Sequence, residues 1–457
     1  MQAERKDGDI QPGIHWGPFT IRIPFVHLRF SLPDMLQGCA VAGATGLALV
    51  PYFVALLGLS FEEAVVMAMI HSLFISFSWM LFGDPYAPGW LTPAIPFVVA
   101  FITAPAYYGD HLAQFQAMTA LSLNFAAILI FLGITGLGSK LIQRVPNVFK
   151  GGIILGAAIA AFMRVSKDGD VANVFQSAPI AGTLGVAVCL LFAFSKPLQA
   201  IAVGNKWLAK VLGFGLLPGF ILAGIVGYFS GEFDYNIRWE ILDVGAATAS
   251  LWAKASPFMI GWPPVETFIA AFPLALITYI LFFGDLVTGN EMIEQSQQQR
   301  SDEKLDINSS RAHLATGIRN ALMAVTAPFF STQGVLWTGI QVVLLKRWTT
   351  GRSSLNSLYD SIGSFYLFGI PVLFIVLPLV TLLEPLLPVA LAVTLILTAF
   401  ACATLALAIV DDPTERGAMV ITAMAFSLFE PWAGLLVGLI TIAGLCGFKV
   451  FMPDKPR

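Results

Sequence analysis

From Pro33 to Val450 the sequence is a succession of apolar runs joined by short polar connectors, and charged side chains gather at or near the ends of those runs. Only 12% of the 457 residues are charged, against about a quarter in a soluble domain. So few charges leave a water-facing surface uncovered, so the bilayer must be the solvent for this chain. A spanning helix needs about 20 apolar residues. Clear runs occupy about 34–58, 61–82, 114–137, 148–164, 179–195, 211–229, 266–289, 356–381, 384–410, 414–430 and 432–450. A moderately apolar run covers about 312–329, and two runs, about 92–106 and 334–345, are too short to span. That gives fourteen elements, two of them short. Residues 1–33 are polar and basic and do not read as a signal peptide. A net charge of −3 points to no nucleic-acid partner. The cysteines Cys39, Cys189, Cys402 and Cys446 all sit in apolar segments without metal-ligand spacing.

The distribution of basic residues orients this map. With the N-terminus in the cytoplasm and sides alternating, only Arg164, Lys167, Arg238 and Lys254 of the 25 basic residues fall outside. A count wrong by one helix scrambles that asymmetry, so both termini are expected in the cytoplasm. Residues 290–311 then form a cytoplasmic connector and 230–263 the longest outer loop. Within that loop, Phe233–Leu242 and Leu251–Phe258 pattern as short interfacial helices. Trp239, Trp252 and Trp262 suit the membrane–water boundary.

The two short elements stand third and tenth, seven apart. Short or Gly/Pro-interrupted segments at matching places in two halves point to a transporter site. Seven is odd, so the second half enters the membrane from the opposite side, as an inverted repeat. The first break, 83–96, holds Pro85, Pro88, Pro93 and Pro96, which rules out a continuous helix. Its helix is expected to begin near Pro93 to Pro96, since proline is tolerated in a first turn. The second break, 330–339, is expected to run extended and then helical through Gln341 and Leu345. Two half-helices meeting there aim free N–H groups and positive dipole ends at one spot, which suits an anion or a polar acceptor.

These residues resemble a superfamily that joins nucleobase/ascorbate permeases, sulfate permeases and bicarbonate/borate transporters. Gly43–Ala44–Thr45 followed by Leu49–Val50–Pro51 is similar to the uracil-permease pattern. Gly284–Asp285–Leu286–Val287 resembles that family's Gly-His-Leu-Val stretch, and Ser331–Thr332 its Ser-Thr. The resemblance implies an all-α polytopic membrane protein. It has 14 transmembrane segments in two inverted repeats of seven, with half-helices at segments 3 and 10. It implies a core domain of segments 1–4 and 8–11, here 34–137 and 266–381. A gate domain of segments 5–7 and 12–14 covers 138–230 and 382–452. Residues 1–33 are the cytoplasmic N-terminal segment and 231–265 the extracytoplasmic loop. Elevator-like movement and a homodimer follow from the same resemblance. Two carboxylates that read a nucleobase edge in uracil permeases are replaced here by Leu281 and Gly339. Sulfate permeases usually carry a cytoplasmic domain after the last helix, and none is expected in the few residues after Val450.

Asp285 is the sharpest candidate, because a carboxylate inside an apolar helix is costly and by default functional. In the bicarbonate branch an Asp at this place looks like a sodium ligand, and hard oxygen ligands suit Na⁺. Thr288 and Thr332 are expected to complete an ion-coupling site. A proton-coupling role and a structural hydrogen-bonded carboxylate are the other readings of Asp285. Thr92 and Pro93 of the third segment, with Gln333, Trp337 and Thr338 of the tenth, are the expected substrate contacts. Gln37 and Ala40 on the first helix lie near the expected cavity. Glu291 and Glu294 read as facing cytoplasmic water, His71 as a hydrogen-bonded core residue, and Asp84 as a turn residue at the cytoplasmic mouth. No compensating Lys or Arg is expected in the core.

The function expected is a secondary active transporter of a small anion, an organic carboxylate or an inorganic oxyanion. It is coupled to Na⁺ or H⁺, uses no cofactor, and sits in the cytoplasmic (inner) membrane of a bacterium. A proton-coupled permease for a nucleobase-like ring and an anion channel are the alternatives. An enzyme is not expected, since no nucleophile–base pair or metal cluster lies at depth.

Overall fold

A computed structural model describes residues 5–41, 46–138, 140, 145–205, 207–208, 216–329 and 333–451. Helix boundaries follow local chemistry. Ser60 and Glu63 cap one another's backbone amides and open α3 (Phe61–Phe77) with a capping box. Asp110, Asn308 and Asp412 accept first-turn amides of α5 (His111–Thr135), α11 (Ser309–Thr326) and α17 (Pro413–Leu428). Gly58 ends α2 (Val50–Leu57) at φ 64°, a left-handed cap that costs glycine nothing. The first run is divided, with α1 (Leu32–Val41) ahead of α2.

The other principal helices are α4 (Ile95–Ile102), α6 (Asn147–Ser166), α7 (Pro179–Phe194), α8 (Leu217–Ser230), α9 (Val244–Ala255) and α10 (Val265–Gln297). They continue with α12 (Thr338–Trp348), α13 (Leu358–Gly363), α14 (Ile370–Ile375), α15 (Leu377–Leu383), α16 (Leu387–Ala408) and α18 (Pro431–Cys446). A π-helical turn, Ser364–Gly369, joins α13 to α14. Among the described residues five helical stretches are long and apolar enough to cross a membrane.

Two packing groups form. In one, α5 lies along α10 and α11. In the other, α6 lies along α16 and α17, α17 along α18, and α7 along α8. Small residues make the contacts close, as membrane helices require where lipid supplies no hydrophobic drive. A Cβ placed on Gly152 of α6 would sit 2.6 Å from Thr422 of α17, and one on Gly317 of α11 2.7 Å from Ile130 of α5.

Two expectations are corrected. The chain is not wholly helical: Ile14–Trp16 pairs antiparallel with Phe19–Ile21 across a Gly17–Pro18 turn. That hairpin is fastened to the membrane-spanning body. Arg22 N donates to Met80 O at 2.7 Å, Trp16 Nε1 to Leu81 O at 3.0 Å, and the Arg22 guanidinium lies 3.8 Å over the Tyr359 ring. Ahead of it, Arg5 pairs with Asp302 at 3.0 Å. Hydrogen bonds from Arg300, with help from Arg5, hold the Asp302 carboxyl down at about 2 against the effect of burial. The outer loop also differs from expectation, because Phe233–Leu242 is extended. Glu232 caps the N-terminus of α7 through Ile180 and Ala181, while Ile241 bridges Val376. Those ties pull the segment straight between two elements. Helix forms only beyond it, in α9 and Pro257–Ile260.

Candidate functional site

The site is built where the two sequence breaks meet. In the first, Gly83 to Leu91 runs without regular helix, then a 3₁₀ turn, Thr92–Ala94, leads into α4. In the second, Gln333 to Trp337 is extended and α12 opens at Thr338. The two extended stretches lie antiparallel, bridged at Trp90 and Gln333. Gly334 N donates to Gly89 O at 2.8 Å and Trp337 N to Ala87 O at 2.7 Å. Gly89 must be glycine for this approach, since a Cβ there would meet Trp337 at 2.8 Å. Backbone left over by the breaks is satisfied by side chains: Gln341 accepts from Ala87 N, and the Tyr366 hydroxyl donates to Pro88 O.

Helix α10 rests on both breaks. A Cβ on Gly289 would lie 3.1 Å from Tyr86 of the first and 3.5 Å from Leu336 of the second. Asn290, next along, accepts from the Tyr86 hydroxyl at 2.5 Å. Asp285 stands one turn before Gly289, on the helical face that rests on the paired breaks. Among the described residues nothing hydrogen-bonds to or ion-pairs with its carboxylate. Thr288 donates to Gly284 O at 2.9 Å, which leaves its oxygen lone pairs free to accept or ligate.

The expected substrate contacts fall in different environments. Thr338 and Gly339, at the N-terminus of α12, are exposed, and nothing lies within 4 Å of a Cβ built on Gly339. Trp337, Thr92 and Pro93 are half-buried, and Thr92 Oγ1 turns back to Trp90 O at 3.3 Å. Gln333 is fully buried, and both ends of its amide are engaged by protein. Its Oε1 accepts from Arg319 at 3.1 Å and its Nε2 donates to His71 O at 3.2 Å. Gln37 is half-buried on α1, which packs along the π-helical turn rather than along either short helix. Thr332 lies outside the described residues, as does the side chain of Ala40. Glu291 and Glu294 are exposed, and His71 is buried with Nε2 on Ala327 O at 2.9 Å.

Two readings of charge need correction. Asp84 is no turn residue at an open mouth: it is fully buried and pairs with Arg311 Nε at 2.9 Å. The core also holds a cation, since Arg319 of α11 is 0% exposed. Counting basic residues by side had assigned both arginines to a cytoplasmic flank. The signal available in the sequence was their period: Arg311, Ala315, Ile318 and Leu322 share a face with Arg319 nearby, in a helix too polar to be a plain span.

A cavity of about 580 Å³ lies apart from this cluster. It is walled by Phe61 and Glu62 from α3, the stretch from Glu232 to Arg238, and Glu384 before α16. Arg238 pairs with Glu62 across it. None of the expected site residues lines it.

No protein-family model matches the chain, and no curated protein matches it. Solved structures do. The transmembrane domain of a cyanobacterium bicarbonate transporter, BicA, aligns over 90% of this chain and 99% of its own, at 16% identity and a TM-score of 0.47. Murine Slc26a9, described as an anion transporter in the inward-facing state, aligns over 92% of this chain and 69% of its own, at 14% identity and a TM-score of 0.49. SLC26A9 aligns over 92% of this chain, at 14% identity and a TM-score of 0.52, and this chain spans 65% of its length. Identity this low speaks to architecture alone. On that ground the chain is a polytopic membrane protein with the fold of SLC26A9.

Proposed function

We propose that the protein is a secondary active transporter of a small anion, coupled to Na⁺ or H⁺ and working by elevator-type alternating access. The observation that carries this reading is the pairing of the two breaks beside Asp285. The helix openings at Thr92 and Thr338 present N-terminal dipole ends in one neighbourhood, where negative charge is favoured. SLC26A9 supports it as well, since the murine form is described as an anion transporter.

In this account α4 and α12 are the half-helices of segments 3 and 10 in a fourteen-segment inverted repeat. The group of α5, α10 and α11 belongs to the moving core, 34–137 and 266–381. The group of α6, α7, α8, α16, α17 and α18 belongs to the gate, 138–230 and 382–452. Residues 1–33 and the loop 231–265 lie on opposite faces, with both termini in the cytoplasm of a bacterial cell and a homodimer as the working unit. Substrate sits between the helix openings, against Trp337, Thr338 and Thr92. The coupling cation is taken by the Asp285 carboxylate, with Thr288 and Thr332 as neutral oxygen donors. An unpartnered carboxylate fits a hard cation or a proton equally well, so the reading leaves both ions in play.

A thermal-shift series on purified protein tests the reading. Bicarbonate, sulfate, fumarate and uracil are each added with and without Na⁺. A ligand at 100 times its Kd stabilises the folded state by about 2.7 kcal/mol. An anion that raises the unfolding temperature, more strongly with Na⁺ or at lower pH, is the expected result. Stabilisation by uracil alone would select the nucleobase-like permease instead.

A further inference from the structure

We propose that Arg319 is a positioning residue that sets the charge preference of the transport site by placing a buried positive charge behind the second break. The proposal rests on the anion-carrier reading and deepens it.

Arg319 Nη1 donates to Gln333 Oε1 at 3.1 Å, and Nη2 donates to Gly334 O at 3.0 Å and Thr316 Oγ1 at 2.9 Å. Among the described residues its Nε has no hydrogen-bond partner. Asn320, the next residue, donates to Gln333 O at 3.0 Å. Two neighbours on α11 thus hold both the side chain and the backbone of Gln333, the residue that pairs with Trp90 of the first break.

The ionic surroundings make the guanidinium unusual. Arg311, two turns earlier, is matched by Asp84 at 2.9 Å and by Asp306. Among the described residues no carboxylate stands within 4 Å of an Arg319 nitrogen. Asp84, the buried acid that reaches Arg319 through its field, is already in contact with Arg311 and accepts from Ser78 at 3.3 Å. Burying an unmatched cation is costly. The hydrogen bonds to Gln333 and Gly334 need only a neutral donor, so they do not themselves require the charge. That charge is shielded from solvent on the α11 side, while the chain it grips leads within a few residues to exposed Thr338 and Gly339. Its field therefore acts where substrate negative charge is placed, with little screening. A unit charge roughly 10 Å from a bound anion, at an effective dielectric of about 20, changes binding by roughly tenfold.

The test compares Arg319→Lys and Arg319→Met with wild type in proteoliposome uptake of bicarbonate, sulfate and fumarate, after each variant is shown to purify monodisperse. For the anion that wild type carries, R319M should raise the half-saturating concentration roughly tenfold with little change in maximal rate. R319K should stay within a few-fold of wild type. If R319M does not purify, R319Q, which keeps a donor for Gln333 and removes the charge, takes its place with the same expectation. Unchanged half-saturation in the neutral variant overturns the proposal, as does equal impairment of Lys and Met variants, which would mark a purely geometric role. Wild-type protein that carries uracil and no anion overturns the anion reading, and this inference with it.

Discussion

Asp285 on α10 and Arg319 on α11 carry opposite charges, and the proposed transport function gives each a different task. The Asp285 carboxylate has no recorded protein partner among the described residues, so it is available to a cation or proton. Replacing it with Asn keeps the shape and removes the charge. Ion-driven accumulation by D285N should fall to that of empty liposomes, while thermal stability holds or rises, because an unmatched carboxylate that is half-buried is costly to fold around. Asp84 predicts the reverse pattern. It is matched by Arg311 and satisfied by Ser78, so D84N leaves the buried Arg311 guanidinium with only the half-exposed Asp306 as its carboxylate and should cost up to about 3–5 kcal/mol in chemical or thermal unfolding. Pairing it with Arg311→Met should recover most of that loss. Asp285 was legible in the sequence because a lone carboxylate in an apolar run is rare. Arg311 and Arg319 were not, because counting charges by side records which face a residue is near and not how deep the fold carries it.

At the level of elements, the breaks were readable because proline forbids helix, but their partner was not. Nothing in the sequence around Trp90 and Gln333 says that the two stretches pair, since that contact joins residues far apart in the chain. The N-terminal hairpin was missed for a related reason: its strands are three residues each, too short for a period to show. Its attachment titrates. Asp302 is held from the usual 3.8 down to about 2, so the stabilising contact with Arg300 and Arg5 is complete above the ordinary carboxylate range. It weakens as pH falls through about 2. At neutral pH the attachment should be insensitive to pH, while D302N should mimic strong acid and loosen residues 5–22, seen as faster amide exchange in that segment alone. Helix contacts make a third expectation. Gly152→Val drives a side chain into Thr422 across α6 and α17, and overpacking of this kind costs about 1–3 kcal/mol. The loss should appear as a lower unfolding temperature, with half-saturation for substrate unchanged if gate packing and substrate binding are separable.

Across the whole molecule, the two packing groups meet where α10 lies against α6 and α18. A site on that surface is opened and closed by any sliding of one group past the other, which is why the account ties transport to relative motion rather than to a fixed pore. The outer loop is fastened to two helices, through Glu232 to α7 and through Arg238 and Lys254 to α3, so relative movement of α3 and α7 would strain it. The most direct measurement is uptake of radiolabelled bicarbonate, sulfate and fumarate into proteoliposomes under an inward Na⁺ gradient, an inward proton gradient, or neither. Saturable accumulation of one anion that requires one of the two gradients, and that D285N abolishes, is the expected result. Accumulation that ignores both gradients, or a D285N variant with full cation-dependent uptake, would contradict the claim that this chain is a cation-coupled anion carrier.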